Sequence, residues 1–253
     1  MTELLYKFND WKIIERLNVA TSLATDFCLL EIKMKNREEI IKKLERDDTI
    51  KFITPQKRLK NILNSHEKNE QNELLIKNRK TRNIKSNGKR NLLGKQSKII
   101  PTEMLNARIL WARGYKGRGV KVAIFDSGLT KNTKHFKNVK ERTNWTSEKT
   151  LEDPIGHGTF VGGVIAGNHP DCPGFAPEAN LYIFRVFTSN KVTYTSWFLD
   201  AFNYAIHCGV DLLNLSIGGP DFMDRPFVEK VWEMSANNIV VISAIGNDGP
   251  LYG

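Results

Sequence analysis

Four apolar runs dominate the second half of the chain: VKVAIF (120–125), LYIFRVF (181–187), VDLLNLSI (210–217) and IVVISA (239–244). Runs of this length with few charges suit strands buried on both faces of a parallel sheet. Between them lie segments of helical character. GTFVGGVIAG (158–167) is rich in small residues that permit close packing. TSWFLDAFNYAIHCG (195–209) is amphipathic and ends on Gly209. RPFVEKVWEMSANN (225–238) carries proline near its first turn. The alternation of strand and helix predicts an α/β fold, an open parallel sheet with helices on both faces, over residues 101–253.

The first part of the chain reads differently. FCLLEIKM (27–34) predicts a strand. REEIIKKLER (37–46) predicts a helix with Ile40, Ile41 and Leu44 on one stripe. Asp47-Asp48 ends it, and TIKFIT (49–54) predicts another strand. This α+β unit, residues 1–56, has too few apolar positions for a robust core and needs a partner surface.

Charge separates the two. Residues 1–53 carry 10 basic and 10 acidic side chains, and residues 101–253 carry 15 of each. Residues 54–100 carry 13 basic and 3 acidic, so the whole net charge of +10 sits there. Residues 57–100 are therefore expected to form a basic, exposed and disordered linker. That stretch contains no aromatic residue to stack on a base, so no nucleic-acid partner is expected. No apolar run approaches the roughly 18 residues of a membrane span, and MTELLYKFNDWKIIERL lacks the apolar core of a signal peptide. Cys28, Cys172 and Cys208 have no metal-ligand spacing. One disulfide and small buried hydrophobes both remain open for them.

In open parallel sheets, ligands bind beyond the carboxyl ends of the strands. There this sequence places Asp126-Ser127-Gly128, Gly218-Gly219-Pro220 and Gly246-Asn247-Asp248-Gly249, with His157 at a predicted helix start. Each alone suits a turn. Together, an acid and a histidine form two-thirds of an acid–histidine–nucleophile relay, in which the carboxylate fixes the imidazole tautomer. An asparagine amide on the same rim can donate to an oxyanion. Gly117-Arg118-Gly119 precedes a strand instead of following one, which disfavours a dinucleotide site.

These segments resemble the subtilisin-like serine proteases. VKVAIFDSGL is similar to their aspartate motif, GHGTFVGGVIAG to their histidine motif, NLSIGG to their substrate-binding strand and ISAIGNDGP to their oxyanion segment. NDWKIIERLN to KFITPQKR resembles the latter part of a propeptide of the family. The resemblance implies that Asp126 is the relay aspartate, His157 the general base and Asn247 the oxyanion donor. It also implies that Leu215, Ser216, Ile217 and Gly218 line the substrate cleft. Protein substrates, membrane-anchored precursors among them, and the chain's own propeptide are the implied partners, in the lumen of the endoplasmic reticulum or Golgi. No cofactor is required; structural calcium occurs in the family, but no ligand set is assignable. The members most resembled cut after a basic residue, a spacer, an aliphatic residue and a small or apolar one. Arg90-Asn91-Leu92-Leu93 fits that form, which makes Arg90 to Leu93 an expected autoprocessing site. Asn144-Trp145-Thr146 is a glycosylation sequon expected on a surface loop, while Asn214-Leu215-Ser216 lies in a predicted buried strand.

The pattern breaks at the nucleophile. No GTS-x-A serine motif of the family occurs within the 253 residues. The sequence is expected to be a fragment or incomplete gene product of a protease, inactive as given. A pseudoprotease or a propeptide-type inhibitor is the alternative.

Overall fold

The computed structural model describes residues 10–60, 100–216 and 224–245. Strands β1 (Trp11–Ile13) and β2 (Leu30–Ile32) and helix α1 (Arg37–Leu44) belong to the first region, and strand β3 (Arg58–Lys60) follows it. After Ile100 come α2 (Pro101–Met104), α3 (Ala107–Ala112), β4 (Lys121–Asp126), β5 (Val139–Asn144) and α4 (His157–Ala166). They are followed by the short pair β6 (Asn168–His169) and β7 (Cys172–Pro173), then β8 (Asn180–Arg185), β9 (Val192–Tyr194) and α5 (Thr195–Cys208). Strand β10 (Leu212–Leu215), helix α6 (Arg225–Ala236) and strand β11 (Val240–Ser243) complete the described residues.

The central sheet is a five-stranded parallel one in the order β11-β10-β4-β8-β5. Side chains alternate between its faces, and the two faces have different covers. Val122, Ile124, Leu181 and Ile183 pack with Leu129, Ala166, Val161 and Ile165, so α4 covers that face. Ala123, Phe125, Phe184 and Leu213 pack with Phe198, Phe202, Ala205 and Met234 under α5 and α6. Phe125 lies 4.7 Å from Phe184 and 5.2 Å from Phe202 between ring centroids, in tilted geometries favoured by aromatic quadrupoles. Helices on both faces of a parallel sheet are the architecture that the apolar runs predict. Gly209 ends α5 in the left-handed region at φ 59°, and Pro226 sits in the first turn of α6.

Strand β5, VKERTN, has no apolar run and escapes the sequence pattern. It is the outer strand next to β8, and its polar groups find partners: Tyr204 Oη donates to Glu141 at 2.6 Å, and Arg142 donates to the carbonyls of Leu129 and Leu151. An outer strand has only one neighbour to pair with and tolerates polar side chains.

The first region departs from expectation in two places. The strand expected over 27–34 shrinks to Leu30–Ile32, paired antiparallel with β1. Residues 49–54 form no strand. Asp47 takes the Thr49 N–H and hydroxyl at 2.9 and 2.6 Å, and Ile50 N–H bonds back to the Asp47 carbonyl. This turn consumes the backbone donors a ladder needs. On the predicted helical stripe, Ile40 and Leu44 are buried against Trp11, Leu30, Ile32 and Ile50, while Ile41 is only half-buried. With so small a core, the region leans on the sheet domain. Ala20, in a 3-10 turn capped by Asn18, is fully buried within the aromatic core. Lys51 pairs with Glu229, and the Arg225 guanidinium lies 4.4 Å from the Phe52 ring centroid. Of the expected linker, Arg58–Lys60 is strand β3, antiparallel to β9, and 61–99 lie outside the described residues. The cysteines fit neither expectation: all three are free, Cys28 and Cys172 are exposed, and Cys208 is half-buried. Among the described residues, no helix is long and apolar enough to cross a membrane.

Candidate active site

Asp126 is the last residue of β4, the central strand, and its side chain is wholly buried. His157 is the first residue of α4. Two glycines let these elements meet. Gly128 turns the chain at φ +111°, and a side-chain carbon there would lie 2.9 Å from the Glu152 carbonyl. At Gly158 a side-chain carbon would run into the Gly128 carbonyl. The turn after β4 and the first turn of α4 are thus in backbone contact, which only glycine allows.

The imidazole Nδ1 of His157 lies 2.8 and 2.9 Å from the two carboxylate oxygens of Asp126. An ionised carboxylate only accepts, so Nδ1 carries the proton and Nε2 is left as the basic nitrogen. The aspartate is 0% exposed and the histidine 21%, so the pair opens to solvent on the histidine side alone. The bond from Asp126 raises the His157 pKa above its ordinary 6.5; burial opposes this, and the charges of Asp126 and Asp153 add to the rise. Burial pushes the Asp126 carboxyl up, against the bond and charge of His157.

Sequence reasoning missed the supports around the pair. Ser127 N–H donates to Asp126 at 2.7 Å, and the Ser127 hydroxyl lies 2.7 Å from Asp153. Asp153 also accepts the N–H groups of Gly156 and Thr159, each at 2.8 Å, capping the start of α4. The signal was present as an aspartate four residues before His157. On the next strand Arg185, the register partner of Asp126, is fully buried. It bonds to the Thr150 carbonyl at 2.7 Å and pairs with Glu148. Glu148 in turn takes the Ser189 N–H and hydroxyl at 3.0 and 2.7 Å. Against burial, the bonds from Ser189 and Arg185 hold its carboxyl below the ordinary range. Arg185 and Glu148 thereby tether the loop carrying Lys191, whose charge reaches His157.

The remaining expected site residues fare unevenly. Leu215 ends β10, and its side chain is buried in the aromatic core. Ser216 is half-buried, and its hydroxyl accepts from Asn214 at 2.6 Å. Ile217, Gly218, Asn247, Arg90 and Leu93 lie outside the described residues. Asn144 ends β5 instead of sitting on a loop; its amide donates to the Glu148 carbonyl, and its oxygen accepts the Thr146 N–H and hydroxyl at 3.0 and 2.8 Å. Among the described residues, no group of three or more His, Cys, Asp or Glu is arranged to hold a metal.

A buried carboxylate at the end of a central parallel strand, bonded to a histidine at a neighbouring helix start, defines the acid–base half of a hydrolytic relay. The profile of the subtilase family matches residues 117–252, and the chain belongs to that family. More particularly, residues 3–57 match the N-terminal domain of the membrane-bound site-1 protease family. The chain is 49% identical to membrane-bound transcription factor site-1 protease from Mus musculus over 96% of its length, and 47% identical to subtilisin-like protease SBT6.1 from Arabidopsis thaliana over 96%. It spans 25% of the length of each of these relatives. It is also 35% identical to the major intracellular serine protease of Bacillus subtilis over 58% of this chain and 49% of that protein.

Proposed function

We propose that this chain is the propeptide-like and leading catalytic portion of a serine endopeptidase that cuts protein precursors after basic-x-aliphatic-x sequences. The observation that carries the reading is the 2.8 Å bond between His157 Nδ1 and Asp126. In the reaction, a serine hydroxyl attacks the scissile carbonyl while His157 Nε2 takes its proton. The tetrahedral oxyanion is held by Asn247, the proton passes to the leaving amine, and water then hydrolyses the acyl-enzyme. No cofactor enters this sequence of steps. The serine itself belongs to no GTS-x-A segment of these 253 residues.

The pairing of β3 with β9 supports a substrate that binds as an added strand. Lys60 sits opposite Val192, next to Lys191, whose charge reaches His157. Arg58-Leu59-Lys60, a short basic segment at the start of the expected linker, is thus held in extended form beside β9, as a bound peptide would be. The name of the relative, membrane-bound transcription factor site-1 protease, supports membrane-bound proteins as substrates; their cleavage as precursors in the secretory pathway is part of the proposal. Self-processing at Arg90-Asn91-Leu92-Leu93 belongs to the same proposal. In a full-length active protein it yields a new N-terminus at Gly94, and unchanged processing in Arg90→Glu removes it.

The docked first region also favours a second reading, an inhibitory module on a pseudoprotease. Sequencing the transcript beyond residue 253 and treating the native protein with a fluorophosphonate separate the two. An in-frame GTS-x-A segment and covalent labelling that is lost in His157→Ala are expected for the protease. A stop codon directly after Gly253 and no labelling of any longer product support the pseudoenzyme.

A further inference from the structure

Asp153 lies outside the relay, yet it is the most heavily bonded carboxylate around it. It accepts five hydrogen bonds: from the Ser127 hydroxyl at 2.7 Å, the N–H groups of Ile155, Gly156 and Thr159 at 3.2, 2.8 and 2.8 Å, and the Thr159 hydroxyl at 2.6 Å. Burial alone would raise its carboxyl; the bonds from Thr159, Ser127 and Gly156 outweigh burial and hold it below the ordinary range. A charged Asp153 is therefore built into the start of α4.

The protons around Ser127 show how this charge reaches the relay. The hydroxyl has one proton. Its shortest contact is Asp153 at 2.7 Å, and it accepts the Gly158 N–H at 3.0 Å. With its proton on Asp153, the hydroxyl presents only lone pairs to Asp126 Oδ1, 3.2 Å away. Asp126 is then stabilised by the Ser127 N–H and His157 Nδ1 alone. Neutralising Asp153 would let the hydroxyl turn to Asp126 and compete with the imidazole.

We propose that Asp153 is a positioning residue for His157: through the Ser127 hydroxyl and the first turn of α4 it sets the imidazole against Asp126, and its negative charge helps hold the proton that His157 takes up. Among the described residues, three charged groups act on the imidazole. Asp126 and Asp153 favour the imidazolium, and Lys191 opposes it. The consequence for catalysis rests on the protease reading; the coupling of the two side chains does not.

The test is an NMR titration of the His157 ring in the native protein and in Asp153→Asn. The variant is expected to lower the midpoint by about 0.5–1 pH unit, and Asp153→Glu, which keeps the charge, to restore most of it. In the full-length protease the acid limb of kcat/KM moves to lower pH by the same amount. An unchanged midpoint in a folded Asp153→Asn protein overturns the proposal and leaves Asp153 a helix cap only. If that variant does not fold, the Asp153 carboxyl carbon of the wild-type protein is followed instead. Coupled groups sense each other's protonation, so its resonance should inflect at the His157 midpoint, and a flat curve overturns the proposal. Failure of fluorophosphonate labelling would sink the protease reading while leaving both titrations interpretable.

Discussion

Arg16 of the first region and Asp200 of α5 form an ion pair at 2.6 Å, 17% and 3% exposed at their side chains, across 184 positions of sequence. Asn18 donates to the other Asp200 oxygen at 2.7 Å. A carboxylate buried on the flank of a core helix is thus satisfied from outside its own domain. Lys230 of α6, itself 4% exposed, also reaches the first region, pairing with Asp26 at 2.8 Å as well as with Glu233 of its own helix at 2.7 Å. Removing Arg16 leaves the buried Asp200 carboxylate with Asn18 as its donor but without an opposite charge. Arg16→Ala is expected to lower the stability of the docked chain by about 2–3 kcal/mol, read as a fall in the thermal unfolding midpoint. A double-mutant cycle with Asp200→Asn should show strong coupling. Additive effects would mean that the pair contributes nothing to docking.

The bond between Asp126 and His157 gives stability a pH dependence of defined sign. The His157 pKa is raised on folding from 6.5, first by the hydrogen bond to Asp126. Its contribution is full below pH 6.5 and is lost as pH rises through the elevated folded value. Unfolding curves across that window should show the loss in the wild type, and a much smaller one in Asp126→Asn. In a full-length protease Asp126→Asn should also cost about 10⁴ in kcat, because the amide favours the wrong tautomer.

Gly158→Ala tests the backbone contact that builds the site. The added methyl would collide with the Gly128 carbonyl, which is backbone and cannot swing aside. A cost of about 3 kcal/mol or more is expected in chemical denaturation, with a displaced His157 ring resonance in whatever protein remains folded. An unperturbed His157 signal would show that the turn after β4 can retreat.

Cys208 should be a slow thiol. Burial and then the Glu141 carboxylate push its pKa up to about 11. At pH 8 only about one molecule in a thousand would carry the thiolate. Mass spectrometry after brief alkylation should find the exposed Cys172 modified well before Cys208. Glu141→Gln should narrow the gap, since it removes the nearby charge and keeps the shape.

Much of this molecule is legible in its residues. β4, β8 and β10 each overlap an apolar run, because a central parallel strand is covered on both faces and must be apolar throughout; β11 also overlaps one, although among the described residues it is an outer strand with Val240 and Ile242 exposed. Asp126 was placed by the rule that such sheets act at the carboxyl ends of their strands; His157 was placed separately, as a histidine between two glycines at a predicted helix start. What the tertiary structure alone decided depends on distant partners. β5 is a strand because it lies beside β8, although its own residues are polar. Arg58–Lys60 is a strand because β9 lies opposite, in a stretch whose charge suggested none. Asp153 accepts from the first turn of α4 and also from the Ser127 hydroxyl, because the turn after β4 folds back against α4. Local pattern reports which faces of an element are apolar; it carries no record of which donors and charges the chain returns to it from elsewhere.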